Sequence, residues 1–256
     1  MKRMNLTAIV MLAVFGANAF AVGFLGTPTA EIGAQKWTIG YDYSYSSQDT
    51  DKVTAKSTLG PFELKLRDFN LQRHYATLGY GISEDLDIYV KLGLADLKAK
   101  AKDYDTPDAW SMNFDTDFAW GWGMRYTFAR QDNVSWGAAA QMNWLDSEFS
   151  KSIGADKGCY SFDSYDILLS AGPSVDMGGW KVYGGPFYYY LNGDYSYKYK
   201  SGGAVLYSEN ADIRADRNFG AFIGSVISLG QNCNWTVEYA TTGDGWGVGT
   251  GIAWSF

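Results

Sequence analysis

The 256-residue sequence contains one histidine, His74, and two cysteines, Cys159 and Cys233. Any imidazole base must therefore be His74. Two thiols supply neither a Cys-rich zinc centre nor a disulfide scaffold. With 28 acids against 21 bases the formal charge is -7, and the basic footprint of a nucleic-acid binder is absent. The remaining candidates for chemistry are charges set within apolar or small-residue runs: Asp42, Asp87, Lys91, Asp115, Asp117, Arg125, Asp166, Lys181 and Glu238, with Arg73 as a further member. Charges so placed must pair or be wetted. Two outcomes stay open: an interior closed by salt bridges, or a narrow wet passage that favours cations because acids outnumber bases. The acids of the "KDYDTPD" stretch (Asp103, Asp105, Asp108) lack the glycine and distal glutamate of an EF-hand loop. No metal or cofactor is expected.

The elements that must position these charges follow from periodicity. Residues 1–21 have the form of a secretory leader: Lys2 and Arg3, an apolar run from Leu6 to Phe15, then Ala17-Asn18-Ala19, with cleavage expected near Ala19 or Ala21. Its removal takes the net charge from -7 to -9. Residues 22–256 then form one domain with no run long enough for a membrane helix. The chain carries 10 Trp, 19 Tyr and 14 Phe at a mean hydropathy of only -0.21, so ring surface is abundant while bulk hydrophobicity is low. Alternation reconciles the two. Phe114, Thr116, Phe118, Trp120, Trp122, Met124, Tyr126 and Phe128 alternate with Asp115, Asp117, Ala119, Gly121, Gly123, Arg125 and Thr127. A period of two places such sets on opposite faces of a strand.

This pattern predicts ten strands, at 35–46, 66–81, 86–96, 113–130, 134–145, 161–175, 180–192, 212–229, 234–242 and 245–256. Phe69 and Leu71 have the opposite parity to Ala76, Leu78 and Tyr80, which predicts a bulge between the two groups. Pro173 and Pro186 remove ladder donors, and a bulge is expected at each. Tight connections at 82–85, 130–133, 176–179 and 230–233 alternate with long polar stretches at 47–65, 97–112, 146–160 and 193–211. Short turns at one end and long loops at the other characterise a closed, up-and-down antiparallel transmembrane β-barrel, all-β and even in strand number. Cys159 and Cys233 then fall at opposite ends, too far apart for a disulfide.

Lipid outside and water inside explain rings on one face and Gly, Ser, Ala and charges on the other. Trp37, Trp136, Trp180, Trp235 and Trp254 are expected to share one depth as an aromatic girdle on the turn side. The ending "GVGTGIAWSF", closing on Trp254 and Phe256, resembles the terminal signature of bacterial outer-membrane β-barrels, and "ATLGYGISEDLDIYVKLGLA" (76–95) is similar to their strand–turn–strand units. The resemblance implies a Gram-negative cell outer membrane, contact with its lipid and lipopolysaccharide, and recognition of the last strand by the barrel-assembly machinery. Three functions follow as expectations. The first is a narrow or plugged porin-like barrel with a passive permeation or envelope-structural role, not an enzyme. The second is a surface-recognition barrel or adhesin acting through extracellular loops, where Tyr195, Tyr197 and Tyr199 alternate with Ser196, Lys198 and Lys200. The third is a hydrolase using His74, whose parity points it at lipid unless the bulge intervenes.

Overall fold

The computed structural model describes residues 23–103, 109–154, 156–215, 218–243 and 245–256. The leader, Asp105 and Asp108 lie outside the described residues. The strands are β1 (Trp37–Gln48), β2 (Val53–Ser57), β3 (Gly60–Gly81), β4 (Leu86–Asp103), β5 (Ala109–Gln131), β6 (Val134–Ile153), β7 (Asp156–Asp176), β8 (Trp180–Ser201), β9 (Ala204–Arg214), β10 (Phe219–Ser228), β11 (Cys233–Thr241) and β12 (Gly245–Ser255). All pairings are antiparallel, and β1 closes the sheet by pairing with both β12 and β3. Near the turns and termini the ring runs β1-β3-β4-β5-β6-β7-β8-β10-β11-β12, the ten strands that periodicity predicts.

Higher up, the ring changes. β2 continues the line of β1 along β3, and β9 continues that of β10 along β8. The hairpin β11–β12 is short and stops at residues 242–245, above which Thr50 bridges Ala215 and β2 pairs with β9 through Lys56↔Asn210 and Ser57↔Glu209. The ring there is β2-β3-β4-β5-β6-β7-β8-β9. Ten strands thus narrow to eight.

This corrects the reading of the polar connections. Stretches 47–65, 97–112, 146–160 and 193–211 are mostly strand, and two of them turn tightly at 58–59 and 202–203. Their outward positions are polar, which hid the alternation. Strands of 20 to 23 residues, at about 3.3 Å per residue and a tilt near 40°, rise about 50–60 Å, twice the apolar band of such a barrel. The upper half therefore stands clear of the membrane.

The outer wall of the lower half carries that band. Ile88, Val90, Leu92 and Leu94 on β4, and Phe118, Trp120, Trp122, Met124, Tyr126 and Phe128 on β5, are all exposed. Side chains that would cost free energy in water are stable against hydrocarbon.

The register shifts do not fall where the sequence predicts them. On β3 the register shifts between Arg67 and Asn70, above Phe69, with Asp68 at φ 46°. Phe69 and Leu71 point inward while Ala76 and Leu78 point outward, so the mixed parity reflects two apolar faces. On β5 a shift opposite Leu97 turns Phe114 inward and puts Asp115 on the outer face, removing it from the lumen set. Pro173 and Pro186 keep register. They share one gap in the β7–β8 ladder between Ser170↔Phe187 and Ser174↔Tyr183, where Gly172 and Gly185 bring the two backbones close.

Candidate functional site

Residues Gly23–Lys36 do not lead directly into β1. They descend through the barrel lumen, and the inner wall is cut to fit them. A Cβ added to Gly249 on β12 would lie 2.4 Å from the Phe24 ring, one on Gly137 of β6 would lie 2.5 Å from the Pro28 carbonyl oxygen, and one on Gly81 of β3 would lie 1.8 Å from the Gly33 oxygen. The glycine-rich inner face of β12, legible in sequence as a small-residue lining, makes room for a chain rather than for water.

The segment is fastened by the predicted lumen charges. Glu238 accepts from the Leu25 and Gly26 amides at 2.8 and 2.9 Å and from Tyr183 Oη at 2.9 Å. Asp87, fully buried, accepts from the Glu31 amide at 2.7 Å and from Arg125 Nε at 2.8 Å. Lys181 Nζ donates to Glu31 Oε2 at 2.7 Å. Thr127 and Ser174 bond the Ala30 amide and the Thr29 hydroxyl, at 3.0 and 2.8 Å. A segment without secondary structure leaves its amides unpaired, and buried amides require acceptors. These wall carboxylates and hydroxyls provide them.

Above the segment sits a second polar layer. Lys91 Nζ donates to Gln141 Oε1 at 2.9 Å and lies 3.6 Å from Asp42 Oδ2, with the rings of Phe24, Tyr75 and Tyr89 within 6 Å. Thr77 donates to Asp42 at 2.7 Å. Arg73 pairs with Asp166, which also accepts from Asn143 Nδ2 at 2.7 Å. The remaining space, bordered by Phe24, Asp42, Lys91 and Arg125, is a cavity of about 100 Å³, enough for about three waters.

Above Arg73 the interior turns apolar. Leu64, Leu66, Phe69, Leu97, Met112, Phe162 and Ile213 are each 1% exposed or less. An eight-stranded ring is just wide enough for its own side chains to fill, which explains why a packed core appears where the ring narrows.

Of the charges singled out from sequence, Arg73, Asp42, Asp87, Lys91, Arg125, Asp166, Lys181 and Glu238 meet in the lumen. Asp117 lies midway along β5, paired with Ala95 and accepting from Ser147 Oγ at 2.8 Å. Asp115 faces outward. Trp37, Trp136, Trp180, Trp235 and Trp254 are all exposed at the turn side of the outer wall, and Phe256 bonds back to Trp37 through the backbone. His74 is on the outer wall, 2.6 Å from Tyr41 Oη through Nδ1 and against the Tyr43 ring. Cys159 and Cys233 are free, at opposite ends of the barrel. Sequence reasoning missed the lumen segment and the neutral residues Tyr89, Thr127, Gln141, Asn143 and Tyr183. The available signal was the run of inward glycines.

No protein-family model and no curated protein matches the chain. Among solved structures, the outer membrane protein OprG from Pseudomonas aeruginosa aligns at a TM-score of 0.52 and 8% identity, covering 88% of this chain and 97% of that one. The outer membrane protease OmpT from Escherichia coli aligns at 0.55 and 8%, covering 89% and 99%. At this identity the likeness is one of fold. A closed antiparallel ring, an apolar outer belt and these two similarities agree: the chain has the fold of the bacterial outer-membrane β-barrel proteins.

Proposed function

We propose that the protein is a plugged barrel, closed to solutes at rest, whose role is structural within the envelope and whose protruding half presents a rigid surface outside the cell. The observation that carries this reading is that the lumen is blocked at two levels by unrelated means. Gly23–Lys36 fills the membrane half, and the apolar core from Leu64 to Ile213 fills the upper half. A solute would have to displace both. The polar lumen thus supports the salt-bridged alternative over the cation-favouring passage, since each of its four cations has a carboxylate partner.

Surface recognition remains as a second reading, because the extended hairpins put polar side chains on a stiff scaffold well above the lipid. Lys198 and Lys200 line the β8 edge of that scaffold, opposite Cys159 and Lys157 of β7. A hydrolase built on His74 finds no support in the lumen, since the imidazole faces away from it.

The test is conductance of the refolded protein in planar bilayers. Silence is the expected result, both for the wild type and after deletion of residues 23–34, since the upper core still closes the path. Discrete conductance steps from the wild type would overturn the reading.

A further inference from the structure

The far end of the protruding half carries apolar side chains with nothing to bury them. The β2–β3 hairpin turns at 58–59 and the β8–β9 hairpin at Gly202-Gly203, whose φ values of 54° and 86° suit a tight two-residue turn. Leu59 at the first tip is 88% exposed, and Val205 and Leu206 beside the second are 52% and 62% exposed. The Thr58 amide donates to the Ser208 carbonyl at 3.0 Å, which holds the two tips side by side. Leu59 and Tyr207 border one cavity of about 310 Å³. Apolar surface gathered in this way marks a site of contact.

Just below the tips, Lys56, Lys157, Lys198 and Lys200 share the outer face of β2, β7 and β8. Lys157 stands directly opposite Lys200 in the ladder, Lys198 is opposite Ser208 of β9, and Lys56 is opposite Asn210 of the same strand. Like charges placed across a ladder repel. None of the four makes an ion pair among the described residues, whereas Lys52, Lys65, Lys98 and Lys100 elsewhere on the protruding wall each pair with a carboxylate. Asp156, next to Lys157 in the chain, accepts from Tyr199 and Ser201, and Glu209 is buried with Tyr195 and Tyr207. Two to four residues separate each lysine from its hairpin tip, a height of about 5–10 Å along tilted strands. The polar layer of one bilayer leaflet has the same depth, about 5–8 Å.

We propose that this apex is a docking surface for an apposed anionic lipid bilayer: Leu59, Val205 and Leu206 enter the edge of its hydrocarbon while Lys56, Lys157, Lys198 and Lys200 meet its phosphates. Apolar tips ahead of a cationic belt match the order of layers in a leaflet, and each layer contributes to binding. The protein's own membrane is out of reach, about 25–30 Å below the tips. The outward residues among the lysines are Cys159, Ser161, Ser196, Ser208 and Asn210, with no aromatic or arginine anchor of the kind that a protein partner's pocket takes. A soluble polysaccharide would leave Leu59 and Leu206 in water. The inference rests on the reading that this half stands outside the cell.

The test uses the wild-type protein in nanodiscs of phosphatidylcholine, with empty nanodiscs as the blank, floated with vesicles of phosphatidylcholine alone or mixed with phosphatidylglycerol. Capture by the mixed vesicles is expected, with little by phosphatidylcholine alone, and it should weaken as salt is raised. Lys198→Gln combined with Lys200→Gln should weaken it about 30-fold. Leu59→Ser combined with Leu206→Ser should weaken it at least about tenfold. Heat-modifiable gel mobility confirms that each variant folds. No capture, or capture that either pair of substitutions leaves unchanged, would overturn the proposal. So would binding to soluble dextran sulfate as tight as to the mixed vesicles, which would make the site one for an anionic polysaccharide. A separate measurement addresses the reading beneath it. On intact cells, a membrane-impermeant maleimide is expected to label Cys159, opposite Lys198, and to spare Cys233 at the turn side. Labelled cells without vesicle capture defeat this proposal alone. A Cys159 that reacts only after lysis defeats the outside reading and this proposal with it.

Discussion

At the level of Arg73 the barrel interior holds ion pairs, hydroxyls and a length of unstructured chain, whereas a few residues higher it holds a packed core of Leu97, Phe162 and Ile213, with the carboxylate of Glu209 buried beside it and accepting from Tyr195 Oη. The same sheet builds both, and the difference comes from ring size. Ten strands leave a lumen too wide for side chains alone, and a polypeptide segment with carboxylates to bind its amides completes it. Eight strands leave a space that side chains fill outright. The outer walls differ in the opposite sense, apolar below against lipid and polar above against water. The protein is therefore inside-out in the membrane and conventionally packed outside it.

The sharpest way to break that contrast is to unbalance the polar layer. Arg73→Met leaves Asp166 buried without its cation and should cost about 3–5 kcal/mol, measured by urea unfolding in detergent. The double variant Arg73→Met, Asp166→Leu should recover most of that loss, because an apolar pair of similar volume removes the desolvation penalty. If the double variant is as unstable as the single, the ion pair is doing more than neutralising itself. In the upper core, Phe162→Ala should cost about 3–4 kcal/mol through cavity formation, with no rescue available from a charge. A cost below about 1 kcal/mol there would mean that the eight-stranded ring is loosely filled.

A smaller effect is expected at the boundary between the halves. Asp146, Asp163 and Asp194 stand side by side on the outer faces of β6, β7 and β8, just above Trp144, Tyr165 and Tyr190. A hydrogen bond with Asp146, partial burial, and the charges of Asp146, Asp194 and Glu148 push Asp163 up to about 6. Because the folded-state value is raised above the ordinary 3.8, the folded state binds more protons between the two values. Stability is greatest below pH 4 on this account and is lost as pH rises through 6. Discounted for solvent screening, the loss is under about 1 kcal/mol. Unfolding midpoints measured from pH 4 to 7 should fall in the wild type and stay flatter in Asp163→Asn. The smallest effect is predicted for Lys100→Ala, which breaks a 2.8 Å pair with Asp68 whose partners are both more than half exposed; its unfolding midpoint should be unchanged.

Sequence periodicity located the ten strands and the lipid-facing side of each because lipid exposure forces strict alternation, as from Phe118 to Phe128. It failed above the membrane. There the outward positions, such as Lys98 and Lys100 alternating with Leu97 and Ala99, are polar enough to read as loop, although the inward positions alternate as strictly as below. Bulges also escaped it, since the shift that turns Phe114 in and Asp115 out depends on which residue of β4 lies opposite.

What the sequence determined by itself was the barrel: a period of two with rings on one side and small or charged residues on the other has few other stable arrangements in a bilayer. Which charges partner which, that eight strands close above ten, and that residues 23–36 lie inside rather than beneath the sheet were decided by tertiary structure alone. Each depends on strand register and on the room left by glycines far apart in the chain, such as Gly81, Gly137 and Gly249. A local pattern reports which way a side chain points. It carries no record of what will be standing there.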